Sequence, residues 1–346
     1  MKNCALNKYQ IFTDSREGLF AFRLNNLYSQ LRAYLDEEQV AGRHLEFSKI
    51  FLSDIANQEQ ELLQSALMTD ILGQTAYSVI QQSPVNGSKI GILVKTSAEK
   101  SPFLFHSLRL TDEEVMNFGS YIQTVMLFDK YLDYLKQQNL TLKDHCVRTW
   151  IYVRDIDTNY NGMVKARNTI FQQQGLSADT HFIASTGIGG RASGSNVSVA
   201  IDFLTCPSLK PDDVLYLHAL DHLNLTHEYG VAFERGTRIT LDDGRQQFFI
   251  SGTASINDKG EVVNVGDVRK QTARLLENIG ALLADGGATM NDIRYFIIYV
   301  RDIADAPVVE DYMQHHYPDV PRIITYAKVC RQSWLVEMEC IAEKAQ

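Results

Sequence analysis

Proline and cysteine are scarce in this chain, seven and five among 346 residues. The cysteines (Cys4, Cys146, Cys206, Cys330, Cys340) are odd in number, widely scattered and without a CxxC pair. That speaks against a disulfide framework or a zinc knuckle and for a reducing compartment. No apolar run approaches the ~18 residues of a membrane span, and the N-terminal stretch MKNCALNKYQIF lacks the apolar core of a signal peptide. The expected location is cytoplasmic, with no membrane partner. Basic residues are outnumbered 33 to 42, for a net charge of −9 and a pI near 5.5. The densest basic stretch, Arg148 to Arg154, falls inside a strand pattern, which leaves no basic patch for nucleic acid. His218 and His222 are four apart but lack the Glu of HExxH and a third ligand, so no metal site is expected.

What is present is an ordinary globular composition, 45% apolar and 22% charged, in a chain long enough for two or three cores. It also repeats. Tyr152-Val-Arg-Asp-Ile156 recurs as Tyr299-Val-Arg-Asp-Ile303, with Gln123-Thr124 and Gln271-Thr272 standing ahead of each. Phe51-Leu-Ser-Asp-Ile55 is a fainter third echo. Ahead of each lies an apolar stripe at steps of three and four: Leu24, Leu27, Leu31, Leu35; Val125, Phe128, Leu132, Leu135; Leu275, Ile279, Leu282, Leu283. Those steps define one face of a helix. Each stripe is followed by a β-branched and aromatic strand, a second helix and a last apolar strand such as Ile90–Val94, Val197–Ile201 or Leu335–Ile341.

The order β-α-β-α-β predicts an α/β (α+β) chain of repeated units. Each unit is expected to be a twisted mixed sheet with two helices on one face. Expected divisions are residues 1–100, 101–207 and 208–346, the last opening with linker strands.

Residues Phe248 to Ala345 resemble the Rid (reactive intermediate deaminase) family throughout. The likeness rests on Ile250-Ser-Gly-Thr-Ala-Ser255, Gln271, Leu276-Glu-Asn-Ile279, Tyr299-Val-Arg-Asp302 and Val336-Glu-Met-Glu-Cys-Ile-Ala342. Arg322, beside Pro321, precedes Glu337 by the family's fifteen residues (337 − 322). From about residue 145 onward the chain is also similar to the chorismatase branch. The residues that carry this are Arg148-Thr-Trp-Ile-Tyr152, Ala166-Arg-Asn168, Ala184-Ser-Thr-Gly-Ile-Gly-Gly-Arg191 and Tyr229-Gly-Val-Ala-Phe-Glu-Arg235. It departs at Gly189, where an acidic residue is usual, and at Asn161-Gly-Met163. Residues 1–100 carry no chorismatase hallmark.

The resemblance implies a cofactor-independent hydrolase. Glu337 is expected as the catalytic acid and Arg322 as the fork that holds a substrate carboxylate. Arg167 and Arg191 are candidate second clamps. Ser185 and Gly187 stand in a glycine-rich segment expected to be a loop with exposed N–H groups. Tyr229 and Cys330 complete the candidate set; the position of Cys330 varies between product classes among chorismatases. The implied reaction is cleavage of the enolpyruvyl ether of chorismate. The alternatives are hydrolysis of 2-imino acids and non-catalytic binding of a small carboxylate. Rid proteins are typically trimers, so three units in one chain imply a monomeric pseudo-trimer or a homo-oligomer of such chains.

Overall fold

The computed structural model describes residues 6–345. The chain opens with β1 (Asn7–Thr13), α1 (Phe20–Val40), β2 (His44–Leu52), α2 (Ile55–Gln64), β3 (Ala76–Gln81), the two-residue β4 (Ser83–Pro84) and β5 (Ile90–Ser97). It continues through β6 (Leu104–Leu108), the one-turn α3 (Asp112–Val115), α4 (Ser120–Gln137), the one-turn α5 (Leu142–His145), β7 (Cys146–Val153), α6 (Ile156–Gln173), β8 (Ala184–Gly189) and β9 (Val199–Thr205). The last part holds β10 (Val214–Leu217), β11 (Gly236–Thr240), β12 (Gln246–Thr253), α7 (Val268–Asp285), β13 (Ile293–Val300), α8 (Ala306–His316), β14 (Arg322–Tyr326) and β15 (Val336–Lys344).

Three sheets result, ordered β1-β5-β2-β3, β6-β9-β7-β8 and β10-β11-β12-β15-β13-β14-β4. The central four strands of the third repeat the connectivity of the other two. In each set the first strand pairs antiparallel with the last, the last pairs antiparallel with the second, and the second runs parallel to the third. Each parallel pair is joined by a helix, as a parallel connection requires. This is the α/β architecture of repeated units that the sequence pattern predicts.

Period-two alternation assigns the strand faces. On β2, Ile50 and Leu52 join the cluster beneath α1 with Leu24, Leu27 and Leu31. Phe51 between them turns the other way, into the larger cluster shared with the second and third sheets. Phe51, Tyr152 and Tyr299, the echo residues, are all fully buried. The sheets therefore put their helices outside and their other faces toward one another, a single-chain pseudo-trimer.

The four long helices also stop alike. Gly42, Asn139, Gly175 and Gly287 follow α1, α4, α6 and α7 with φ of 76°, 58°, 79° and 83°. The next residue in each case bonds back five positions: Arg43 to Glu38, Leu140 to Leu135, Leu176 to Phe171, Ala288 to Leu283. That 6→1 bond with a left-handed residue is a Schellman end.

Seams between the sheets are hydrogen-bonded. Gln81 and Arg191 exchange backbone bonds, Gln82 Nε2 donates to the Gly189 carbonyl at 2.7 Å, and Gly189 N–H donates to the Lys328 carbonyl at 2.9 Å. The segment Ser185–Gly190, expected as a loop, is instead mostly strand β8, parallel to β7. Its glycines serve close packing: a Cβ on Gly189 would lie 2.8 Å from the Lys328 carbonyl oxygen. Among the described residues no helix is long and apolar enough to cross a membrane.

Candidate functional site

The alternation that buries Val336, Met338 and Cys340 turns Glu337 and Glu339 the other way, toward the second sheet. Glu339 is saturated there. Its Oε1 accepts from Trp150 Nε1 at 2.8 Å, and its Oε2 accepts from Arg148 at 2.9 Å and from the Thr186 hydroxyl. Arg148, 1% exposed, also donates to Ser251 Oγ at 2.9 Å. These bonds stitch β7 and β8 to β12 and β15.

Glu337 is different. It is 3% exposed and makes no hydrogen bond among the described residues. Its carboxyl faces a cleft between the second and third sheets, lined by Tyr160, Arg167, Ser185, Arg235, Cys330 and Trp334 among others. Burial, reinforced by the neighbouring charge of Glu339, pushes its pKa up to about 8, while Arg148 and Arg235 pull the other way. A carboxyl in that state carries its proton at neutral pH.

The β12 backbone makes room for it. The β12–β15 register shifts between Ile250 and Thr253, and Gly252 sits in that irregularity. A Cβ on Gly252 would lie 2.1 Å from Glu337 Oε1. The Gly252 N–H is held by Thr186 Oγ1 at 2.9 Å.

Around this acid the cleft is cationic and aromatic. Arg167 comes from α6 and is 2% exposed; Arg235, 4% exposed, is held by Asn224 through its carbonyl and Oδ1. Arg331 stands exposed at the rim over the Trp334 ring, 5.1 Å from its centroid. Ser185 Oγ accepts from the Thr149 hydroxyl at 2.8 Å. Burial pushes the Cys330 thiol up to about 12, with the Glu337 charge adding to it, so it is a neutral wall group. The Tyr160 hydroxyl, its partner, is held well above its ordinary range by burial.

Of the candidates named from sequence, the fold therefore brings Glu337, Arg167, Ser185, Gly187 and Cys330 into one cleft. Arg322 is not among them, and the expected Arg322–Glu337 pairing is corrected. Arg322 pairs in register with Phe296, whereas Glu337 pairs with Tyr299, three residues along and on the far side of β13. With ~3.3 Å per residue and ~4.8 Å between strands, their Cα atoms are about 14 Å apart. The guanidinium also faces α8, bonding Glu310 and Gln314 at 2.6 Å each and the Tyr317 carbonyl at 3.1 Å. Arg191 lies at the seam with Gln81 of the first sheet, outside the cleft. The side chain of Tyr229 lies outside the described residues.

Arg235, Gly252, Tyr160, Arg331 and Trp334 were not singled out from sequence. Two had a signal: Arg235 ends the Tyr229–Arg235 segment, and Gly252 lies in Ile250–Ser255. The strand registers also show why one cleft is special. Gly91 and Ala200 occupy the places in the first and second sheets that Glu337 holds in the third. Tyr77 and Ser185 stand where Arg322 does.

A sheet with two helices outside and an acid-bearing seam defines a Rid-type fold. The endoribonuclease L-PSP family model matches residues 242–344. A RutC family protein of Pyrococcus abyssi is 35% identical over 99 residues, 28% of this chain and 77% of the relative. The 3-aminoacrylate deaminase RutC of Acinetobacter baylyi is 30% identical over 97 residues, 28% of this chain and 74% of its own. The chain belongs to this Rid, or RutC, family. A solved chorismatase structure superposes with a TM-score of 0.68 over 97% of this chain and 98% of its own, at 15% identity. That likeness is one of fold, and it extends over all three units.

Proposed function

We propose that this chain is a chorismatase-like hydrolase, acting at the cleft around Glu337 without a cofactor. The observation that carries the reading is a buried carboxyl raised to about 8 in a cleft lined by Arg167, Arg235 and Arg331. Chorismate has two carboxylates and one enol ether, and the cleft offers guanidinium forks to the former and an acid to the latter. Glu337 gives its proton to the methylene carbon of the enolpyruvyl group, leaving an oxocarbenium-like centre and an ionised Glu337. Water adds to that centre and returns a proton to Glu337; the hemiketal collapses as its hydroxyl proton passes to the departing ring oxygen, and pyruvate leaves with a dihydroxycyclohexadiene carboxylate. Attack by a ring hydroxyl instead leads toward a hydroxybenzoate. The nearby arginines stabilise Glu337 once it is ionised, which limits the cost of the transfer.

The free space in the cleft is about 50 Å³, room for roughly four waters at ~10–15 Å³ each. The cleft therefore has to widen for a ligand of chorismate's size. In this reading the chain works as a monomeric pseudo-trimer of units 1–100, 101–207 and 208–346, taking a small carboxylate-bearing substrate.

The runner-up, hydrolysis of a 2-imino acid, is favoured by the identity of the C-terminal third with a 3-aminoacrylate deaminase. It calls for a carboxylate to position water, which a protonated Glu337 does not supply. Incubation with chorismate, read for pyruvate and aromatic absorbance, separates the two. Release of pyruvate supports the first reading; none from chorismate, with keto acid from a freshly generated imine, replaces it with the second.

A further inference from the structure

A second pocket, partly open to solvent, is lined by residues of all three sheets and is distinct from the Glu337 cleft. The inward residues of β15 mark the path from one to the other. Glu337 faces the cleft, Glu339 sits in the Arg148–Trp150 network, and Ile341 lines the second cavity. At ~3.3 Å per residue the two ends are about 13 Å apart, with the saturated Glu339 network as the wall between them.

The cavity measures about 100 Å³. That is short of the ~150 Å³ that takes benzene, so a benzoate ring fills it only with the half-buried Phe47 and Phe105 shifting at its rim. Its walls are largely aromatic and come from every unit: Phe47 and Tyr9 from the first, Phe105 and Trp150 from the second, Phe249 and Tyr295 from the third. In their midst stands Lys49, on β2. It is 3% exposed, and its Nζ makes no hydrogen bond among the described residues. Among the described residues the ammonium rests against two ring faces, 4.8 Å from the Trp150 centroid and 5.2 Å from that of Tyr152.

A buried ammonium with three donors and no acceptor is costly to keep. Burial lowers Lys49 to about 8, with Glu339 and Asp202 holding it up and Arg148 and Arg109 opposing them. Those carboxylates are committed elsewhere, Glu339 to Arg148 and Asp202 to Arg109 at 2.8 Å. Lys95 and Glu46, also in the lining, neutralise each other at 2.9 Å. Among the described residues Lys49 is the charge of this lining without an ion-pair partner, while Glu46 pairs with Lys95 through Oε1 and leaves Oε2 without a hydrogen bond.

We infer that this axial cavity is a binding site for a small planar aromatic carboxylate, its ring stacked among Trp150, Phe105 and Tyr295 and its carboxylate on Lys49 Nζ. The site needs nothing from the chemistry at Glu337, and it takes an anion rather than a neutral ring because Lys49 supplies donors that apolar walls do not.

Benzoate is the probe, titrated into the full chain. Trp150 and Trp334 are the only tryptophans, so in Trp334→Phe the emission reports the cavity alone. Saturable quenching is expected. Lys49→Met keeps the length and loses the donor, and binding should weaken at least about tenfold, as loss of a charge-assisted hydrogen bond implies. Arg235→Lys, which alters a fork of the Glu337 cleft and nothing in this pocket, should by calorimetry bind benzoate as wild type does. No saturable quench up to tens of millimolar overturns the inference. So does unchanged affinity in Lys49→Met, or weakened binding in Arg235→Lys, which would place the ligand in the cleft. If Lys49→Met does not fold, Ala76→Phe plugs the cavity at a lining position; quenching that survives it overturns the site.

Discussion

Glu337 and Glu339 stand two residues apart on the same face of β15 and have opposite surroundings: Glu339 is filled by Arg148, Trp150 and Thr186, whereas Glu337 faces a cleft with no hydrogen bond among the described residues. The first is architecture between two units. Glu337 is a buried carboxyl without such partners, and the charge of Glu339 helps keep it protonated.

Replacing Glu337 by Gln keeps shape and removes the proton. Turnover should fall by about 10²–10⁴ while ligand affinity survives, measured as pyruvate release and calorimetric binding. The pH dependence follows from the raised pKa. Between the ordinary value of 4.5 and about 8 the folded state holds a proton that the unfolded state has lost. Stability from this group is therefore fully present below about 4.5 and lost as pH rises through about 8. Denaturant melts of Glu337→Gln should lack that slope, and wild-type kcat should decline above pH 8 as the acid ionises.

Gly252→Ala tests the room made for that acid. With a Cβ 2.1 Å from Oε1, the carboxyl has to move. Turnover should drop at least about tenfold, since small displacements of reacting groups are costly, with near-wild-type circular dichroism. An alanine variant at full activity would show that Glu337 need not occupy this position.

Arg322 and Arg235 should separate. Arg322 is tied to Glu310 and Gln314 on α8, so Arg322→Lys should leave ligand affinity unchanged and cost within about 1 kcal/mol of stability, as partly exposed pairs do. Arg235→Lys loses a fork inside the cleft and should weaken binding and turnover together. Calorimetry on both variants decides which arginine meets the carboxylate.

Arg148→Met leaves Glu339 buried without its cation. Breaking one side of a buried pair costs about 3–5 kcal/mol, so the urea midpoint should fall sharply. Adding Glu339→Leu should recover much of the loss, as coupled neighbours do.

The sequence by itself determined the units. Leucines at steps of three and four, strands alternating in two, and a glycine or asparagine after each long helix are local constraints, and they act within a dozen residues wherever the chain goes. They were enough for the α/β architecture, while Glu337 was singled out by the resemblance of its strand, Val336-Glu-Met-Glu-Cys340, to the Rid family. What they do not contain is register between strands far apart in the chain. A fifteen-residue spacing fits many geometries. Only the pairing of β13 with both β14 and β15 turned Arg322 outward to α8 and Glu337 inward. Arg167 and Arg235 line the cleft of Glu337 from opposite ends of a stretch in which no local pattern links them. The glycines of β8 read as a loop because their packing partner, the backbone at Lys328, lies in another unit. Tertiary structure decided these points because each is a contact between units, and a contact between units is set by how three sheets meet rather than by any segment of one.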